Sequence, residues 1–308
     1  MPRDLLGGGI DLLVEPVNEE GLLPVKISWS EGHVFSLNQI SRKSGLPSNF
    51  LLPRFVEPHV HLDKAFTWKD YPNHLGTYSG ALRANLAEHN DRTKEDVVYR
   101  VERALEDSLR HGIRAIRTHI DSFTFDDGEI WEALICLKDK WKSLIQLEFV
   151  ALVPLEFWST KNGKLFASHV ANAGGLLGGV VVPPIDKMKL RSDLSHALLL
   201  AKEQNCGIDL HIDEAAESPG AGIKELIKLL EEIDSEVPIT CSHSSSMGCL
   251  EPKELEMLAI RMASQNIKVV ALPLTNSWLL GREKGITPCT RALAPIAQLQ
   301  EAGVLVSV

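Results

Sequence analysis

Eight short apolar runs recur along this chain, at residues 55–60, 113–120, 145–153, 178–182, 207–212, 237–241, 267–272 and 304–308. From the second run onward they are spaced by roughly 30 residues, the length of one strand-helix unit. The segments between them carry helical periodicity. Residues 96–109 set Val97, Val98, Val101, Leu105 and Leu109 on one side, and residues 223–233 set Leu226, Ile227, Leu229, Leu230 and Ile233 against intervening Lys and Glu. Alternation repeated this often predicts a parallel sheet flanked by helices. Eight strands favour closure into a (β/α)8 TIM barrel over an open doubly wound sheet. The open sheet favours a glycine-rich first turn of the form G-x-G-x-x-G. Gly174-Gly175-Leu176-Leu177-Gly178-Gly179 lacks that spacing and reads as a turn into the fourth strand.

Residues 1–52 have another rhythm. Leu12-Leu13-Val14, Val25-Lys26-Ile27-Ser28-Trp29 and His33-Val34-Phe35-Ser36-Leu37 alternate, punctuated by Glu20-Gly21, Glu31-Gly32 and Ser44-Gly45. This predicts the N-terminal part of a small β-sandwich. Residues 53–308 are assigned to the barrel. The longest interval between strands, from Asp63 to His111, opens on an aromatic segment with Trp68, Tyr71, Pro72 and His74. It is expected to be a loop over the end of the first barrel strand.

Composition removes several function classes. A net charge of −9 without a basic, aromatic-interleaved patch excludes a nucleic-acid surface. No apolar run reaches the ~18 residues of a membrane span, and the N-terminus lacks a signal peptide's pattern. The five cysteines are odd in number and form no C-x-x-C, which predicts a reducing compartment, the cytoplasm.

Barrels of this type carry chemistry at the C-terminal ends of their strands. His59 and His61 end the first run, spaced i, i+2 and so on one face. His119 and Asp121 end the second with the same spacing. The fifth ends in Leu210-His211-Ile212-Asp213-Glu214 and the sixth in Thr240-Cys241-Ser242-His243. Imidazoles and carboxylates gathered this way suit one divalent metal, zinc or iron(II), able to activate water. Glu214 is placed to move a proton between that water and a leaving group. His243 either binds the metal or orients the attacking oxygen. His119 and Asp121 are read first as supporting residues. No H-E-x-x-H, P-loop, G-x-S-x-G or EF-hand motif is present, and Pro288-Cys289-Thr290-Arg291-Ala292 lacks the second cysteine of the H-x-E…P-C-x-x-C deaminases.

Together these residues resemble the metal-dependent amidohydrolase superfamily, and within it the cytosine deaminase-like group. The match runs from Phe55-Val56-Glu57-Pro58-His59-Val60-His61-Leu62-Asp63 through Arg117-Thr118-His119-Ile120-Asp121, His211-Ile212-Asp213-Glu214 and Ser242-His243-Ser244. It ends at Pro273-Leu274-Thr275-Asn276 with Leu279, Gly281 and Arg282. The resemblance implies a (β/α)8 barrel with a small β-sandwich built from both chain ends. It implies one metal on His59, His61, His211 and an aspartate after strand eight, with Glu214 as proton shuttle and His243 beside the attacking oxygen. The reaction implied is hydrolysis of a ring C–N bond in a cytosine-like or related N-heterocycle, releasing ammonia or an amine.

Leu155 stands where cytosine deaminases carry a glutamine, and Asn276-Ser277-Trp278-Leu279-Leu280-Gly281-Arg282 replaces their N-x-H-L-Q-G-R pattern. A less polar pocket points to a bulkier or N-alkylated heterocycle. Leu155, Trp278 and Asp121 are the candidate substrate contacts. The strand-eight aspartate is expected just beyond Val308, so the barrel is expected to be incomplete at strand eight, with an uncovered seam that favours self-association. The alternative is a catalytically impaired truncated relative, or a binding protein that keeps the barrel.

Overall fold

The computed structural model describes residues 22–31, 33–40, 49–122, 128–233, 235–280, 285 and 292–308. The chain divides into two compact units, Met1–Arg54 and Phe55–Val308. In the first, β1 (Val25–Ser30) pairs antiparallel with β2 (His33–Gln39), from Val25↔Gln39 to Ser30↔His33. Glu31, at φ 51°, makes the left-handed turn between them. The run at Leu12-Leu13-Val14 lies outside the described residues.

The second unit is the barrel. Its strands are β3 (Phe55–Val60), β4 (Ile113–Asp121), β5 (Gln146–Leu152), β6 (Leu176–Val181), β7 (Ile208–Ile212), β8 (Ile239–His243), β9 (Lys268–Val270) and β10 (Val306–Ser307). They lie side by side in chain order, every pairing parallel. Among the described residues no ladder joins β10 to β3, so the barrel is nearly closed. All eight C-terminal strand ends share one rim. No described helix is long and apolar enough to cross a membrane.

Helices follow the strands: α1 (Tyr78–Asp91), α2 (Lys94–Arg110), α3 (Gly128–Trp141), α4 (Lys161–Asn172), α5 (Lys187–Glu203), α6 (Ala221–Glu232), α7 (Pro252–Ser264), α8 (Pro273–Leu279) and α9 (Ile296–Glu301). α2 buries Val97, Val101, Ala104 and Leu105, and α6 buries Ile223, Leu226, Ile227, Leu229 and Leu230. Each such Val, Leu or Ile stabilises the fold by about 1.5–3 kcal/mol over its exposed state. Thr93, Thr160 and Asp186 cap α2, α4 and α5, accepting backbone N–H bonds from Asp96, Gly163 and Met188. Trp131 and Trp158 fill the space under the rim, and both indoles are satisfied. Trp131 Nε1 donates to Ser122 Oγ at 2.9 Å and Trp158 Nε1 to the Gly178 carbonyl at 2.7 Å.

Two local expectations change. Strand β6 begins at Leu176, so Gly178 and Gly179 lie within it and not in the turn before it. A Cβ on Gly178 would stand 2.6 Å from the Ala151 carbonyl oxygen, so only glycine allows the neighbouring strand this close. The interval after β3 is largely helical, because α1 occupies its middle. α1 escapes hydrophobic periodicity because its buried residues are Gly80 and Glu88, with Leu82 and Leu86 exposed. Pro273 opens α8, where its missing N–H costs nothing.

Candidate metal centre and active site

Strand alternation points Arg117, His119 and Asp121 of β4, and Asp209 and His211 of β7, to the barrel axis. His59 and His61 join them from the end of β3. His61 Nε2 stands 3.1 Å from His211 Nε2. The His119 ring centre lies 4.0 Å from that of His59 and 4.7 Å from that of His211. His59, His119 and His211 each place a ring nitrogen within 4.8 Å of the others'. His59 Nδ1 lies 2.9 Å from Ser242 Oγ, which donates to Asp209 Oδ1 at 2.7 Å.

These imidazoles fit a divalent cation. His59 Nε2 and both nitrogens of His119 are buried without a hydrogen-bond partner, and His61 Nε2 and His211 Nε2 face each other. Each such orphan costs about 1–3 kcal/mol unless something meets it. Two nitrogens on one tetrahedral zinc at ~2.05 Å would sit about 3.3 Å apart, close to the His61–His211 spacing. Burial, then the neighbouring positive groups, hold all four histidines well below their usual 6.5. They are therefore neutral at physiological pH, with lone pairs to offer. His59 and His211 belong both to the set expected from sequence and to the close triplet. His119, expected in support, comes within ligand distance.

Glu214 and His243 reach the same rim through strained backbone. Asp213 (φ 54°), His243 (φ 72°) and Ser244 (φ 51°) all lie in the left-handed region. Asp213 is locked because its carboxylate accepts the first N–H groups of α6, from Gly222 at 3.0 Å and Ile223 at 2.8 Å. That lock aims the next residue, Glu214, into the barrel mouth. His243 Nδ1 is 3.4 Å from Glu214 Oε1 and 3.2 Å from Asn276 Nδ2. Burial raises Glu214 to about 7, opposed by Lys64 and by a hydrogen bond from the Tyr78 hydroxyl. Burial drops His243 to about 3.

Beside them lies an ion network that sequence reasoning missed. Lys64 Nζ donates to both Asp121 oxygens, at 2.8 and 2.7 Å. Arg92 Nη1 donates to Asp63 at 2.9 Å, and its Nη2 pairs with Glu88 at 2.5 Å and Asp121 at 3.6 Å. Arg100 also pairs with Glu88. Three acids face three bases, so the cluster is neutral overall. Burial, then Asp121, raises Asp63 to about 6. The network ties the ends of β3 and β4 to α1 and α2, and it carries Lys64 and Tyr78 to the site. It also places Asp121, whose two oxygens are both taken by Lys64.

A cavity of 540 Å³ adjoins the network, walled by Lys64, Phe66, Trp68, Tyr71, Trp278 and Leu279. Of the three candidate substrate contacts, Trp278 lines it, half-exposed. Leu155 is only 4% exposed and packs towards Gly179 of β6.

Asp209, Lys64 and Tyr78 were given no role from sequence, and Ser242 and Asn276 were read only as parts of motifs. Asp209 was reachable, since it stands two residues before His211 on the same strand face. Ser242 was not, because alternation puts it opposite His243. The left-handed turn at His243 brings both to the same site.

No family profile matches the chain. It is 30% identical over 299 residues to a pterin deaminase from Rhizobium rhizogenes (strain K84 / ATCC BAA-868), covering 93% of this chain and 67% of the relative. It is 25% identical over 201 residues to an N-isopropylammelide isopropyl amidohydrolase from Pseudomonas sp. (strain ADP), covering 64% of this chain and 50% of the relative. Among solved structures it superposes on 5-methylcytosine deaminase from Klebsiella pneumoniae with a TM-score of 0.75 at 22% identity, covering 92% of this chain and 70% of that one. The chain thus spans between half and two thirds of the length of these two curated relatives. With this fold, this gathering of histidines at the strand ends and the 30% identity to the pterin deaminase, the chain belongs to the metal-dependent amidohydrolase superfamily, in its cytosine deaminase-like group.

Proposed function

We propose that this protein is a divalent-metal-dependent deaminase that hydrolyses an exocyclic C–N bond of an aminated N-heterocycle. The observation that carries this reading is the meeting, at one barrel rim, of orphaned neutral histidine nitrogens with a buried carboxylate, Glu214. His59, His61 and His211 would hold the cation, zinc or iron(II), with His119 beneath them. When bound, such a cation acidifies water and polarises the ring carbon it faces. Glu214 accepts the proton of the attacking water and returns it to the departing nitrogen. A C–O bond forms, the C–N bond breaks, and ammonia or an amine leaves. His243 steadies the attacking oxygen, held by Asn276 and Glu214. Tyr78 keeps Glu214 pointed at the ring.

Trp278, Phe66 and Trp68 offer stacking faces for a flat ring. Lys64 offers its third N–H to a ring oxygen or nitrogen, because Asp121 engages only two. The similarity to pterin and isopropylammelide hydrolases puts aminopteridines and amino-substituted triazines first among substrates, with aminopyrimidines next. The cytoplasm suits the free thiols of Cys136, Cys206, Cys241 and Cys249.

The test is release of ammonia or amine from these three compound classes by protein carrying about one zinc or iron per chain. Release that a chelator abolishes and added metal restores is the expected result. Full metal content with no release from any class would favour the binding-protein alternative and end the deaminase reading.

A pH prediction follows from Glu214. Its raised value means that the ionised, proton-accepting form dominates only above about 7. Below that, kcat/KM is expected to fall about tenfold per pH unit. A bound cation's charge shifts this limb to lower pH, so it lies at or below 7. An acid limb that survives unchanged in Glu214→Gln belongs to another group.

A further inference from the structure

We infer that Ser242 and Asp209 are positioning residues for the metal centre, holding His59 in the tautomer that presents Nε2 as a lone pair. The inference rests on His59 being a metal ligand, and it assigns a task to residues that the proposed chemistry does not use. Asp209 is fully buried near the start of β7. Its Oδ2 accepts from Arg117 Nη1 at 2.8 Å, which leaves Oδ1 to accept the Ser242 hydroxyl at 2.7 Å. Arg117 is itself fixed, donating from Nε to Glu148 at 2.6 Å and from Nη1 to Thr240 Oγ1 at 3.2 Å.

A serine hydroxyl has one proton. Ser242 gives it to Asp209, so towards His59 Nδ1, 2.9 Å away, Ser242 can only accept. His59 must therefore carry its proton on Nδ1. Its Nε2 is then a bare lone pair, and it is this atom that is buried without a partner. The relay runs Arg117, Asp209, Ser242, His59, across β4, β7, β8 and β3. It fixes the ring's rotation as well as its proton. Among the described residues, the other three imidazoles show no such support: His61 Nδ1, His211 Nδ1 and His119 Nδ1 have no partner.

The experiment measures zinc affinity of the full chain by competition with a chromophoric chelator, together with the melting midpoint of the metal-free protein. Ser242→Ala removes the acceptor and should weaken zinc about 10–100-fold. Ser242→Thr keeps the hydroxyl and should restore affinity to within about threefold of the starting protein, on the same scale of outer-sphere effects. A merely structural hydroxyl would instead lower the metal-free midpoint and leave zinc affinity alone. The inference is overturned if Ser242→Ala binds zinc as tightly as the unaltered protein, or if alanine and threonine weaken it equally. Should Ser242→Ala fail to fold, Asp209→Asn breaks the relay one bond further out, and unchanged zinc affinity there overturns it too. An unaltered protein that takes up neither zinc nor iron(II) overturns the metal reading itself, which separates the two failures.

Discussion

Glu214→Gln is expected to lower turnover by about 10²–10⁴-fold while leaving metal content unchanged. Glutamine matches the shape of the buried glutamate and can still accept the Tyr78 hydroxyl, but it cannot take a proton. Because burial already pushes Glu214 up to about 7, losing its charge removes a desolvation cost. The variant should therefore fold at least as well as the parent, and the loss should fall on kcat. Ammonia release under saturating substrate, alongside metal analysis of the same sample, measures both. Turnover within about tenfold of the parent would remove Glu214 from the proton-transfer role, since general acid–base groups contribute more than that.

The largest expected stability effect belongs to Arg92→Met. The Arg92 guanidinium is 1% exposed and faces Glu88, Asp63 and Asp121. Methionine fills similar volume but leaves three buried acids against two bases. Breaking a buried network from one side typically costs about 3–5 kcal/mol. For a domain of this size that lowers the melting midpoint by on the order of 10 °C. Adding Glu88→Gln rebalances the charge and should recover part of the loss, a coupling that a double-mutant cycle reads directly. Equal midpoints for parent and Arg92→Met would show that the network contributes little. The arginine sits at the C-terminal end of α1, the helix that brings Tyr78 to Glu214, so turnover should fall with stability.

Much of the candidate metal centre was legible because strand ends impose a two-residue period. His59 and His61, His119 and Asp121, and His211 with its neighbours all announce themselves at i, i+2 positions after apolar runs. The barrel was legible for a related reason, since burial on both faces leaves parallel strands as short apolar blocks at regular spacing. The network at the end of β3 was not. Its helix, α1, turns Glu88 inward, so the signal that marks a helix face is replaced by charge. Lys64 and Asp63 read as a polar loop until Asp121 and Arg92 are brought beside them from about 57 and 29 positions away in the chain.

Sequence alone therefore determined the barrel, the rim where the candidate groups gather, and most of the residues proposed to bind a cation or move a proton, because local periodicity encodes which residues face the axis. Tertiary structure decided how those groups are used. It brought His119 within ligand distance, turned His243 through a left-handed backbone onto the same side as Ser242, and spent both Asp121 oxygens on Lys64. It also tied Asp209 to His59 through a serine hydroxyl. These are contacts between strands and helices distant in the chain. Their partners are chosen by barrel closure and burial, and no local pattern records them.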